Sequence, residues 1–376
     1  MMTAERLNTP LFDITLQSPF VVGSGPLCHN GKALIELYRL GAGAVVTKTI
    51  RDKPADNPLP HIYGDMKARS MLNAEQWSDI SAGAWVESEI PRAAEAGVPV
   101  IASIGHTAEE AARWVPLAVR AGAWAIELVS YDESTMEAMI REAAGAAKKP
   151  ILVKLSPSWR DPLAKLPRFI AAGASGFTAM DSLGPALRID IRTGGPVVGS
   201  GDGRGWLTGQ AIRPIILHHV AALAGRTGLP IIGLGGIETA EDVVEMTMAG
   251  AHAAGLCTAL MLRGPGYLET LAGDLLKLLD SLGYETLSEV RGKFNRFKEA
   301  SKETKEGGRL RFVFVKERCT GCGRCGKVCS YGAQHSGKDG FECTLEDCRF
   351  CGLCVSLCPT GALGFLKEAG LKPAGF

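Results

Sequence analysis

Long hydrophobic runs are missing from this chain of 376 residues. Apolar stretches such as AAGLCTALML stop well short of the ~18 residues a membrane-spanning helix needs. The N-terminus, MMTAERLNTP, has no basic segment leading into an apolar core, so no secretory leader is expected. An excess of one charge is missing too: 41 Lys+Arg stand against 40 Asp+Glu, which argues against nucleic acid or a membrane surface as partner. No G-x-G-x-x-G follows a strand. GSGDGRG (199–205) lies in a loop with no βαβ unit behind it, so no NAD(P)H site is expected. Cysteine is scarce for most of the length, with only Cys28 and Cys257 before residue 318. These absences leave a soluble, cytoplasmic protein as the expectation.

The cysteines are concentrated instead near the C-terminus. Cys319, Cys322, Cys325 and Cys329 are spaced C-x2-C-x2-C-x3-C, and Cys348, Cys351, Cys354 and Cys358 repeat that spacing, with Pro359 after the last. Zinc knuckles pair C-x2-C with a distant second pair, and disulfides need an oxidising compartment. Three thiolates in one tight loop can grip three corners of an iron–sulfur cube, while the fourth points to the other cluster. Cys319, Cys322, Cys325 and Cys358 are therefore expected on one [4Fe–4S] centre, and Cys348, Cys351, Cys354 and Cys329 on a second. Ser330 stands where proline is usual, a change that touches no ligand, and Cys343 is left over. Residues 311 to 366 resemble a bacterial two-cluster ferredoxin.

Upstream, eight short, nearly continuous apolar runs alternate with helical patterns: FVVGSG (20–25), AVVTKT (44–49), PVIASI (99–104), AIELVS (125–130), ILVKLS (151–156), GFTAMD (176–181), PIIGLG (230–235) and AAGLCTAL (253–260). Runs of this kind are strands buried on both faces. Eight with helical crossovers predict a parallel (β/α)8 TIM barrel rather than an open doubly wound sheet. LFDITLQSP alternates like a strand and is expected to cap the barrel bottom with a small antiparallel pair. Long insertions follow the second and sixth runs, where barrels place substrate-binding loops. The expected organisation is a barrel over 1–285, a charged linker over 286–310, and a ferredoxin-like α+β domain over 311–376.

Barrel chemistry sits at the C-terminal ends of strands. Gly235 and Gly236 after the seventh run, with Cys257 and Thr258 after the eighth, predict a phosphate cradle of bare backbone N–H groups. Lys48 and Lys154 point into the same mouth. Buried lysines are normally paired, so two at one pocket suggest an anionic or electron-rich ligand, and a flavin fits.

GAGAVVTKTI with RDKPADNPLPHIY, then VKLSP, LTGQAIRPI and IIGLGGIETAEDVVEMTMAGAHAAGLCTAL, resemble the dihydroorotate dehydrogenase family, including the FMN and cluster-bearing part of dihydropyrimidine dehydrogenase. The resemblance covers nearly the whole chain. It implies FMN with Gly23 and Ser24 near the isoalloxazine and Lys48, Lys154 and Thr178 at the ring. It also implies Gly209 at the ring edge and Gly235, Gly236, Cys257 and Thr258 on the phosphate. It further implies at least a dimer, and electrons exchanged one at a time with the clusters and in pairs with a substrate.

The chain departs from that pattern at the substrate. The family's N-x-S-x-P signature and the mobile loop carrying a general acid/base have no counterpart in ELVSYDESTMEAM. T-x-T-N becomes Thr178-Ala179-Met180-Asp181, and SIGHTAEE lacks an expected asparagine. An ionised Asp can only accept where an amide would also donate. Replacement acid/base candidates are Asp181 and Tyr131 first and His106 next, with His29, Cys28, Asp132 and His61 behind them. Arg188, Asp190 and Arg192 could bind an anion or pair with each other, and His218-His219 read as packing. The expected activity is oxidoreduction of a CH–CH bond in a small cyclic or conjugated substrate that is not a standard pyrimidine. The electron partner would be an NAD(P)H-oxidising flavoprotein subunit or a ferredoxin. The alternative is an electron-transfer subunit whose barrel has lost its own chemistry.

Overall fold

The computed structural model describes residues 5–303, 310–337 and 340–367. The chain divides into two compact units, 1–299 and 300–376.

The first unit is a closed barrel of eight parallel strands: β3 (Phe20–Val22), β4 (Ala44–Val46), β7 (Val100–Ile104), β8 (Ala125–Leu128), β9 (Ile151–Leu155), β10 (Gly176–Ala179), β13 (Ile231–Leu234) and β14 (Ala253–Leu256). Each arises from one of the eight apolar runs. Alternate residues face opposite ways along a strand, so both sides of every strand must be apolar here. Val22, Val45, Ile104, Ile126, Val153 and Phe177 pack outward on the helices, whereas Val21, Val46, Ile101, Leu152, Ile232 and Ala253 fill the interior. The eighth run is part strand and part helix, because Thr258–Arg263 is helical.

The hairpin β1 (Thr9–Leu11) and β2 (Ile14–Leu16) closes the bottom by inserting Leu11 and Leu16 into that interior cluster. At the other end, the two long insertions build an antiparallel sheet that strand periodicity did not announce. It contains β5 (Ile62–Asp65), β6 (Ser70–Asn73), β11 (Leu183–Ala186) and β12 (Gly205–Gly209), in the order β11-β12-β6-β5. Helix starts are capped as their sequences dictate. Thr107 accepts from Glu110 N, and Thr239 with Asp242 forms a reciprocal capping box. The segment read as a linker begins with a turn at Leu287–Val290 and the helix Lys293–Glu303. Asn295 Nδ2 of that helix donates to Ala221 O at 3.1 Å, so its first turns belong to the barrel unit.

In the second unit, β15 (Leu310–Phe314) pairs with β18 (Leu363–Lys367), and β16 (Gln334–Gly337) pairs with β17 (Gly340–Cys343). Phe312, Phe314, Phe341 and Phe365 stack at the centre. The two cysteine motifs fold alike. Each turns into a short helix at a left-handed glycine, Gly323 (φ 69°) in one and Gly352 (φ 84°) in the other.

Candidate active site and cluster cradles

Two residues above the apolar interior layer, the inward positions change character. Val46 gives way to Lys48, Ile101 to Ser103, Ala125 to Glu127, Leu152 to Lys154, and Thr178 lies in register beside Lys154. Continuing the strand period by one step would have found Ser103 and Glu127, which sequence reasoning missed. Above this polar layer lies a cleft of about 660 Å³, counted out to solvent.

Seven predicted cofactor residues line the cleft: Ser24, Lys154, Gly209, Gly235, Gly236, Cys257 and Thr258. Met71, Asn73 and Thr208, from the insertion sheet, line it too and carried no signal in the sequence. Gly23, Lys48 and Thr178 stand in the wall behind. A Cβ on Gly23 would lie 3.1 Å from Leu234. Lys48 is paired with Glu75 at 2.8 Å and Asp79 at 3.4 Å. Thr178 Oγ1 donates to Glu127 Oε2 at 2.7 Å.

The cradle is built from residues without side chains because the backbone folds tightly on itself. Gly236 has φ 78°, and a Cβ there would lie 2.5 Å from Arg213 Cβ and 2.8 Å from Gly209 O. Asp242 draws the segment together by accepting from Gln210 Nε2, Glu238 N and Thr239 N. Thr258 Oγ1 donates to Thr208 Oγ1 at 2.9 Å. Burial pushes the Cys257 thiol up to about 11, against the pull of Lys154, so it stays protonated and can border an anion. Glycine backbone and hydroxyls at this end of the cleft fit a phosphorylated cofactor.

A second cavity, of about 1400 Å³ counted the same way, adjoins the first, and Asp181 and Ser182 line both. Asp181 Oδ1 lies 3.3 Å from Lys154 Nζ and accepts from Ser182 N at 2.9 Å. Burial works to lower the Lys154 pKa, but Asp181 and Glu127 outweigh it and hold the ammonium above its ordinary value. Other lining residues include Asn57, Gln76, Tyr131, Ser156 and Trp206. Tyr131 stacks on Trp206 at 5.7 Å and meets the edge of His106 at 4.7 Å, and His106 in turn meets Trp77. Burial, then Arg51, push His106 down to about 4, and the Tyr131 phenol, although its side chain is half exposed, is raised above its ordinary value. Both are uncharged at neutral pH.

The remaining candidates line neither cavity. Cys28 is buried with its thiol pushed well up by burial, His29 contacts Pro26 O, and Asp132 caps a turn at Ser134 N. His61 Nε2 stands 4.0 Å from Glu75. Arg188 pairs with Asp65, and Asp190 accepts from Arg192 N.

In the second unit, one hollow is ringed by Cys319, Cys322, Cys325 and Cys358, and another by Cys329, Cys348, Cys351 and Cys354. Each motif thus lends its fourth cysteine to the other's ring. Cys343 accepts from Gln334 Nε2 at 3.4 Å, beside the second ring.

Residues 6–279 match the family described as Dihydroorotate dehydrogenase, and residues 318–362 match the 4Fe-4S dicluster domain. The chain belongs to the dihydroorotate dehydrogenase family. Curated relatives include dihydroorotate dehydrogenase B (NAD(+)), catalytic subunit, of Geobacillus kaustophilus, 32% identical over 77% of this chain and 95% of that protein. The protein of the same name from Thermoplasma volcanium is 33% identical over 76% of this chain and 97% of its own length. Like its family, the chain is a flavin-dependent oxidoreductase acting on CH–CH bonds, here joined to a 4Fe-4S ferredoxin domain.

Proposed function

We propose that the barrel binds FMN in the glycine-walled cleft and oxidises or reduces a CH–CH bond of a small cyclic or conjugated substrate held in the adjoining cavity. Two [4Fe–4S] clusters in the cysteine rings would exchange the electrons. The observation that carries this reading is the shared wall: Asp181, paired with Lys154, faces both cavities.

FMN supplies hydride chemistry, because its ring takes or gives an electron pair and passes single electrons onward. The chain's own residues do the rest. Gly235, Gly236, Cys257 and Thr258 would seat the phosphate, with Ser24 and Gly209 along the body and Lys154 at the ring. Gly23, Lys48 and Thr178 would support that face from behind. Asp181 is the group we assign to proton movement: it borders both cavities and is ionisable, whereas His106 and Tyr131 are neutral. Tyr131 and Trp206 give a flat wall on which a ring can stack, and the Tyr131 hydroxyl remains a hydrogen-bond donor.

The charge of the second cavity supports a substrate other than dihydroorotate, which carries a carboxylate. Arg204 is the one cationic side chain among its described lining residues, and it is already paired with Asp202. Asp181 would instead accept from a substrate N–H. The electron partner we propose is a separate flavoprotein subunit or ferredoxin, with the protein acting as a dimer or within a hetero-oligomer. The test is an anaerobic screen in which dihydroorotate, dihydrouracil and other cyclic amides and enoates are mixed with the purified protein. Bleaching or reoxidation of the flavin identifies the substrate. A flavin that no substrate changes would favour the electron-transfer subunit.

A further inference from the structure

Glu127 has no part in the chemistry above. It stands near the end of β8, 1% exposed, and lines neither cavity. Its Oε2 accepts from Thr178 of β10, while Oε1 is buried without a well-formed hydrogen bond, the Ser103 hydroxyl being close enough only to favour the charged carboxyl slightly. The bond to Thr178 fixes where the carboxyl lies. Strands β8, β9 and β10 are consecutive neighbours in the barrel, so a contact from β10 to β8 passes across the inner face of β9. Lys154 projects from β9, in register beside Thr178, and reaches Asp181 on the cleft side. The ammonium thus has Asp181 at ion-pair distance on the cleft side, while Glu127, sealed in the core and beyond that distance, acts on it through space.

A buried carboxyl with an oxygen that lacks a well-formed hydrogen bond is costly to keep, and each such group in a folded protein calls for a reason. We propose that Glu127 is a positioning residue, a fixed countercharge that holds Lys154 at the cleft and keeps the reduction potential of the bound flavin low. The inference rests on the cleft being the FMN site. An ammonium beside the ring favours the negative charge gained on reduction, and a carboxylate behind that ammonium offsets the effect. In a dry interior the offset is larger than it would be in water. Burial, the larger influence, raises the Glu127 carboxyl above its ordinary value, and the pull of the Lys154 ammonium opposes that rise without cancelling it.

Glu127→Gln keeps the shape and the acceptor for Thr178 but removes the charge. In a spectroelectrochemical titration of the full-length, cluster-loaded protein, it should raise the flavin midpoint. The expected shift is about tenfold or more in the ratio of reduced to oxidised flavin at fixed potential, about 30 mV for a two-electron couple. Glu127→Asp, which draws the charge back by one methylene, should raise it by less. An unmoved midpoint in Glu127→Gln at wild-type flavin content overturns the proposal. Should that variant fail to fold, an unmoved midpoint in Glu127→Asp does the same. Wild-type protein that binds no flavin at all would instead remove the reading of the cleft on which the proposal stands.

Discussion

At the scale of the residue, Asp181 and His106 make opposite demands on the solvent. Asp181 keeps an ionised partner within 3.3 Å and borders both cavities, so it can exchange a proton with a ligand. Asp181→Asn preserves the shape and removes the titration. Flavin content should stay at the wild-type level while kcat falls by roughly 10²-fold or more, the usual contribution of a general acid or base. Normal turnover by that variant would leave Asp181 a bystander and make Tyr131 the next residue to test. His106 behaves differently, because folding lowers its affinity for a proton from an ordinary pKa of about 6.5 to about 4. Between those values the unfolded chain holds the extra proton. The native state should therefore be fully favoured above about pH 6.5 and lose stability as the pH falls towards about 4. Urea midpoints at pH 7 and pH 5 measure this, and His106→Asn should reduce the difference between them.

At the scale of the element, the loop after β13 tolerates little change. Gly236→Ala puts a methyl group 2.5 Å from Arg213 Cβ at a φ that other residues resist, so the loop must move. Flavin content on purification should drop severalfold while the barrel keeps its far-UV signature. In the second unit, Cys358→Ala removes a sulfur from the ring that holds Cys319, Cys322 and Cys325, so the damaged cluster should be the one seated by the other motif. Iron content and EPR of the reduced variant report which centre is lost, and damage confined to the Cys348, Cys351 and Cys354 ring would contradict the crossing. These elements were legible in the sequence for a physical reason. A strand buried on both faces must be apolar throughout, and a cluster loop must space its thiolates to suit a cube. The insertion sheet was not legible. β6 pairs with β12 through Trp206 and Asn73, far apart in the chain; β6 is short and buries a polar Ser70 beside Met71 and Leu72, and β12 is only half-buried along its middle, so neither strand shows a clean period. Met71, Asn73 and Thr208 enter the cleft from that sheet and were missed with it. Glu127 was hidden differently, inside an apolar run that reads as core.

At the scale of the whole molecule, the chain joins a family barrel to a 4Fe-4S domain, and it carries no strand-following G-x-G-x-x-G. NADH or NADPH alone should therefore fail to reduce the isolated protein at catalytic rates, and stopped-flow mixing of each nucleotide with the oxidised protein checks this. We propose that one chain carries electrons between a CH–CH substrate, FMN and the clusters. The most direct test is an anaerobic titration of the purified protein with the substrate found by screening, followed by visible absorbance and EPR. The expected result is one FMN and about eight irons per chain, loss of the flavin bands on addition of the reduced substrate, and cluster reduction in the same sample. Protein that holds its clusters but no flavin, or flavin that bleaches while the clusters stay oxidised against a partner of suitable potential, would contradict it.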